Sequence, residues 1–333
     1  MALYEAYQRE LSAGDLLSPD FMEQASDTLH RWGAMSVEDV LGQMPGERVI
    51  DLGERATSLV VVEPDKGVEV DEERTLTLGL PHKNGWSPQH FIRAKLLQQI
   101  TAPNSRIIVF PDDGFRHNTH RYTDSDIQKM NAGNAMPIAE TQMTALESVA
   151  GELGLRSILA SGYSKAGRSA LGLAAAGSYI LEVKKVNADE TPSEEGRGFV
   201  RLGLDFMTSG ADVSGAAKAS NIPALHKIMR PGELNKDFVK FALTNANPGN
   251  LKDVRSMTGS ADYLIRRAVR QIGPENVKIG YIEGSKLFDP NTVPLELLGG
   301  IELEHYAGEG FFGHASGDNV VLHAAMANRG LNG

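Results

Sequence analysis

The chain has 333 residues, 41% of them hydrophobic and 23% charged, which suits one large α/β domain with an insertion or two modest domains. A net charge of −10 argues against a nucleic-acid backbone as the main partner, because that task needs clustered Lys and Arg. With no cysteine in the chain, disulfides, thiolate metal sites and cysteine nucleophiles are excluded.

Residues 4 to about 45 read as short amphipathic helices, with Leu29, Trp32 and Val37 set among polar residues. We take residues 1–45 as an N-terminal helical extension without visible chemistry, and as a surface that could meet a protein partner. From "RVIDLG" onward the texture changes. "SLVVVEP" (58–64), "TLTLGLP" (75–81) and "RIIVFPD" (106–112) are apolar runs ended by Pro, Gly or Asp, the pattern of buried strands.

Between them, residues 87–103 have helical spacing, with Ser87-Pro88 as a cap and first-turn pair. Residues 137–155 form a second amphipathic helix, 156–162 a strand, and "KAGRSALGLAAAGSYI" the helix after it. Strands alternating with helices imply parallel pairing through right-handed crossovers. Residues 182–198, charged and rich in breakers, read as an exposed loop, and 199–206 as the next strand. Residues 207–275 lose the strand signal and read as a helical cap. The α/β pattern resumes at 277–284 and 301–308, and a last helix follows near "NVVLHAAMANRG". The expected core is therefore 46–206 plus 276–333.

Within this pattern Ser164 stands out. It follows the strand at 156–162 and opens the helix of small residues, in "SGYSKAGRSAL". A nucleophile in that turn needs small neighbours two positions away on each side, and Gly162 and Ala166 supply them. The helix start would direct its positive end at the serine, and the Lys165 N–H would be one oxyanion donor. The bland alternative is a capping serine in a structural turn.

A serine needs a base. His314, in the glycine-rich "GEGFFGHASGDN" after the last strand, can reach over the carboxyl edge of a parallel sheet. His305 lies inside that strand and reads as a packed or edge histidine. The two aspartates and two histidines of "PDDG" and "RHNTHRYTD" could bind a divalent ion, but they read first as a solvated loop, so no metal or other cofactor is expected. "RRAVR" is one basic helix face.

Together "LGLPHKNGW", "SGYSKAGRSAL", "IEGSKLFDP" and "GEGFFGHASGDN" resemble the α/β-hydrolase fold superfamily of serine esterases and lipases, over roughly residues 48–206 and 275–330. Two departures are Ala166 in place of a second glycine and His82-Lys83 where such enzymes often have His-Gly. The resemblance implies a mainly parallel sheet flanked by helices, with a cap. It implies a second oxyanion donor at the Asn84 N–H. It also implies a triad acid, with Asp289 first and Asp205 and Glu283 as alternatives.

The expected activity is cleavage of a small-molecule carboxylic ester or related acyl bond through a Ser-His-acid triad and an acyl-enzyme. The alternative is a catalytically silent hydrolase-fold protein used for binding or structure. No apolar run approaches the roughly 20 residues needed to cross a bilayer, and the first residues lack the apolar core of a signal peptide. A cytoplasmic or otherwise soluble location is the expectation.

Overall fold

A computed structural model describes residues 8–12, 16–34, 36, 42, 47–53, 55–72, 75–79, 88–110, 123, 125–126, 129, 136–163, 166–189, 261–282, 299–307 and 320–333. Nine strands form one sheet: β1 (Gln8–Ser12), β2 (Glu47–Leu52), β3 (Arg55–Val62), β4 (Thr75–Gly79), β5 (Arg106–Phe110), β6 (Ser157–Tyr163), β7 (Glu182–Asp189), β8 (Val277–Ile282) and β9 (Glu302–Ala307). Their order across the sheet is β2-β3-β5-β4-β6-β7-β8-β9-β1. Only β3 runs against its neighbours; every other pair of adjacent strands is parallel.

Six helices accompany the sheet: α1 (Pro19–Gly33), α2 (Pro88–Thr101), α3 (Met136–Leu153), α4 (Ala166–Ala176), α5 (Ala261–Ile272) and α6 (Val320–Asn332). α3, α4 and α5 cover one face, where the largest apolar cluster joins them to β5 through β9. α2 and α6 pack together against the other face, and α1 lies on α2. The apolar spacing of each helix decides which stripe it buries. α5 buries Leu264, Ile265 and Ala268 while Arg266 and Arg270 stay in solvent and Arg267 donates to the Ala175 carbonyl of α4.

Three segments differ from their sequence reading. Residues 182–189, expected in an exposed loop, form β7 in the middle of the sheet. The lysines and acids suggested solvent, yet Val186, Asn187, Ala188 and Asp189 are all buried. The strand expected at 199–206 lies outside the described residues. Residues 8–12, expected in a helical extension, add β1 to the sheet edge beside β9, while α1 confirms a helix in that segment. Ser18 caps α1 by accepting from the Phe21 N–H at 3.3 Å, with Pro19 in the first turn. Finally, α5, within the segment read as a cap, packs on α4 and against β7 and β8. It holds the position of a crossover helix.

Candidate active site

The chain runs from β4 through α2 to β5 on one side, then through α3 back across β4 to β6 on the other. That reversal makes the carboxyl ends of β4 and β6 the topological switch point, where open α/β sheets bind ligands. Gly79, the last residue of β4, pairs with Gly162 near the end of β6. The segment holding Asn84 therefore leaves the sheet next to the one holding Ser164. β8 ends at Ile282, which pairs with Tyr306, one residue before β9 ends. Beyond β8 come Glu283 and Asp289, and beyond β9 comes His314. Topology thus sends all four segments out from the same edge of one sheet. Ser164, Lys165, Asn84, His314, Asp289, Asp205 and Glu283 themselves lie outside the described residues, as do His117 and His120.

The frame around Ser164 is described on both sides. β6 ends at Tyr163 and α4 begins at Ala166, so two residues make the whole turn. A Cβ built on Gly162 would run into the Ala166 carbonyl and sit 2.8 Å from the Gly167 N. Strand and helix touch backbone to backbone, and no larger residue fits at 162. This is the steric requirement of a sharp strand–nucleophile–helix turn. The same closeness recurs behind the turn, where a Cβ on Gly172 would meet the Ala139 Cβ of α3 at 2.8 Å. α4 is buried from Ala166 to Ala175.

Beneath the turn, on the α6 face, lies a polar seam that the sequence did not reveal. Glu304 is fully buried and accepts from Tyr306 Oη at 2.6 Å and Arg329 Nε at 2.9 Å. Lys278, also buried, lies 3.4 Å from Glu304 Oε1 and 3.0 Å from Glu302 Oε2. Asn187 donates its amide to Asp189 Oδ2 at 3.1 Å and lies 3.4 Å from Ser161 Oγ. Burial holds Tyr306 well above the ordinary tyrosine range, with the Asp189 and Glu304 carboxylates adding to it.

Asp189 closes β7, the last described strand before residues 190–260. Its register partners are Tyr163 on one side and Gly280 on the other. Gly280 leaves the space for its carboxyl, since a Cβ there would lie 2.5 Å from Asp189 Oδ1. Oδ1 has no hydrogen-bond partner among the described residues. Burial first, and then the Glu304 charge, push the Asp189 pKa up to about 8. That shift favours the protonated carboxyl at neutral pH. The pattern V-x-x-V-x-A of 183–188 was the signal for its strand.

His305 sits in β9, half-buried, its ring stacked on Tyr281 at 4.7 Å, the packed histidine expected. Of the remaining histidines, His323 of α6 is buried with its ring 3.8 Å from that of Tyr163. Among the described residues no group of His, Asp and Glu is arranged to hold a metal ion. No helix among them is long and apolar enough to cross a membrane.

Strand order, the single reversed strand and the sharp turn after β6 define the α/β-hydrolase fold, and solved structures share it. A proposed lipase from Acinetobacter baumannii AYE superposes with a TM-score of 0.53 at 16% identity, over 91% of this chain and 93% of that one. A soluble variant of monoglyceride lipase from Saccharomyces cerevisiae, in complex with a substrate analogue, does so at 0.50 and 11%, over 90% and 98%. Identities this low speak for the fold alone. No known family profile and no curated protein sequence matches the chain.

Proposed function

We propose that the protein is a serine hydrolase that cleaves a carboxylic ester or related acyl bond. The observation that carries this reading is the backbone contact between Gly162 and Ala166, which only a tight turn around residues 164 and 165 requires. Both structures compared above are described as lipases, which adds to the support.

In this reading Ser164 Oγ attacks the acyl carbonyl while His314 takes its proton. The N–H groups of Lys165 and Asn84 hold the oxyanion. Collapse of that intermediate expels the alcohol, which receives the proton from His314, and leaves an acyl-enzyme. Water, deprotonated by His314, then releases the acid and frees Ser164. Asp289 fixes the imidazole tautomer, with Asp205 and Glu283 as the alternatives. The part of 207–275 that precedes α5 forms a cap over the site, and the substrate is a small molecule.

A fluorophosphonate probe tests the nucleophile. It labels Ser164 in the folded protein and fails on Ser164→Ala; no labelling of folded wild-type protein ends the proposal. Asp289→Asn loses on the order of 10⁴-fold in kcat, while Asp205→Asn and Glu283→Gln stay active. The reverse ranking moves the acid to the other carboxylate.

A further inference from the structure

We infer that the Tyr163–His323 stack is a brace that positions the nucleophile and its base relative to each other. The inference rests on the Ser164–His314 reading above and adds two positioning residues to it.

Tyr163 is the last residue of β6, and its neighbour in the chain is Ser164. His323 lies in the first turn of α6, the helix that follows the His314 segment directly. Both side chains are buried, at 6% and 4% exposure. Their ring centroids are 3.8 Å apart with planes tilted by 32°. One contact therefore ties the strand end beneath the nucleophile to the helix start beneath the base loop. No other aromatic pair among the described residues joins those two elements.

The brace is held from several directions. Tyr163 belongs to an apolar cluster with Leu96 of α2, Tyr306 of β9 and Ala324 of α6. Leu16, Phe21 and Ala25 close the same cluster from the N-terminal segment. Arg93 of α2 is an electrostatic neighbour of Tyr163, and Asp189 faces it from β7. Burial pushes the Tyr163 hydroxyl well above its ordinary range, so the phenol stays neutral within this seam. A ring packed this closely resists any shift that its backbone does not follow. Since the next residue is Ser164, a displaced ring misplaces the turn.

Positioning of this kind shows in the rate of the chemical step. Removing the stack with His323→Ala or Tyr163→Leu should slow fluorophosphonate labelling of Ser164 and lower kcat by up to about 100-fold, with KM nearly unchanged. His323→Phe keeps an aromatic ring against Tyr163 and should recover most of the loss. Rates are compared on protein shown to be folded by circular dichroism and thermal unfolding. If folded His323→Ala labels as fast as the wild type, or if His323→Phe is as slow as His323→Ala, the brace is refuted while the serine hydrolase reading stands. If the wild type itself does not label, both fall together.

Discussion

Under α3, α4 and α5 the right-hand strands of the sheet present Val186, Ala188, Val277, Ile279 and Leu303, whereas under α6 the same strands present Asn187, Asp189, Lys278, Gly280, Glu304 and Tyr306. One residue along the chain separates the two sets, and both are buried. The first face gains from apolar area removed from water, a term indifferent to which partner does the covering. On the second, Glu304 accepts from Arg329 and Lys278 donates to the Arg329 carbonyl, so hydrogen bonds with fixed partners orient α6. The difference teaches that here polar burial supplies orientation beside the site, while apolar burial supplies most of the stability. Glu304, shared by Tyr306, Lys278 and Arg329, is the centre of that orientation.

The contrast can be broken from either side. Glu304→Ala leaves the buried Lys278 with Glu302 and the Arg329 carbonyl, and takes their acceptor from Tyr306 and Arg329 Nε. The expected loss is about 3–5 kcal/mol in urea unfolding. A loss below about 1 kcal/mol would mean the seam is a bystander.

A smaller effect sharpens the picture through pH. Asp189 holds its proton to about pH 8 in the folded protein, whereas an unfolded aspartate loses it near 3.8. Between those values unfolding releases a proton, so stability falls as pH rises through that window. Asp189→Asn cannot titrate and should flatten the slope, with the largest gain over wild type above pH 8. Thermal unfolding across pH 4–9 reads this directly, and an unchanged slope would place the ionisation elsewhere. On the apolar face, Ile279→Val should cost only about 0.5–1.5 kcal/mol and show no such pH dependence. Ile279 adjoins Lys278 in the chain, so the pair compares the two faces along one strand.

The same contrast explains what the sequence could be made to say. β3, β4, β5 and β6 were legible because apolar runs ended by Gly, Pro or Asp leave little choice. β7 was not, because its α6 face carries Lys185, Asn187 and Asp189, and charge suggested water. β1 was missed for a related reason: "QRELS" has no apolar run, and among the described residues it pairs only with β9. The close approach of β6 and α4 was legible through Gly162 and Ala166, the small residues it demands. His323 was not, since helical periodicity marks a residue as buried without saying what its ring meets.

Gln8 pairs with Leu303, and Ser12 with Ala307. Among the described strands, then, β1 waits longest for its partner during synthesis. At about 5–20 residues per second, β1 waits roughly 15–60 s for β9 to follow it out of the ribosome. Through that interval Leu16, Phe21 and Ala25 also lack α6, against which their cluster closes. Until then the apolar stripe of Leu16, Phe21 and Ala25 lacks part of its cover and stays within reach of chaperones and of other nascent chains.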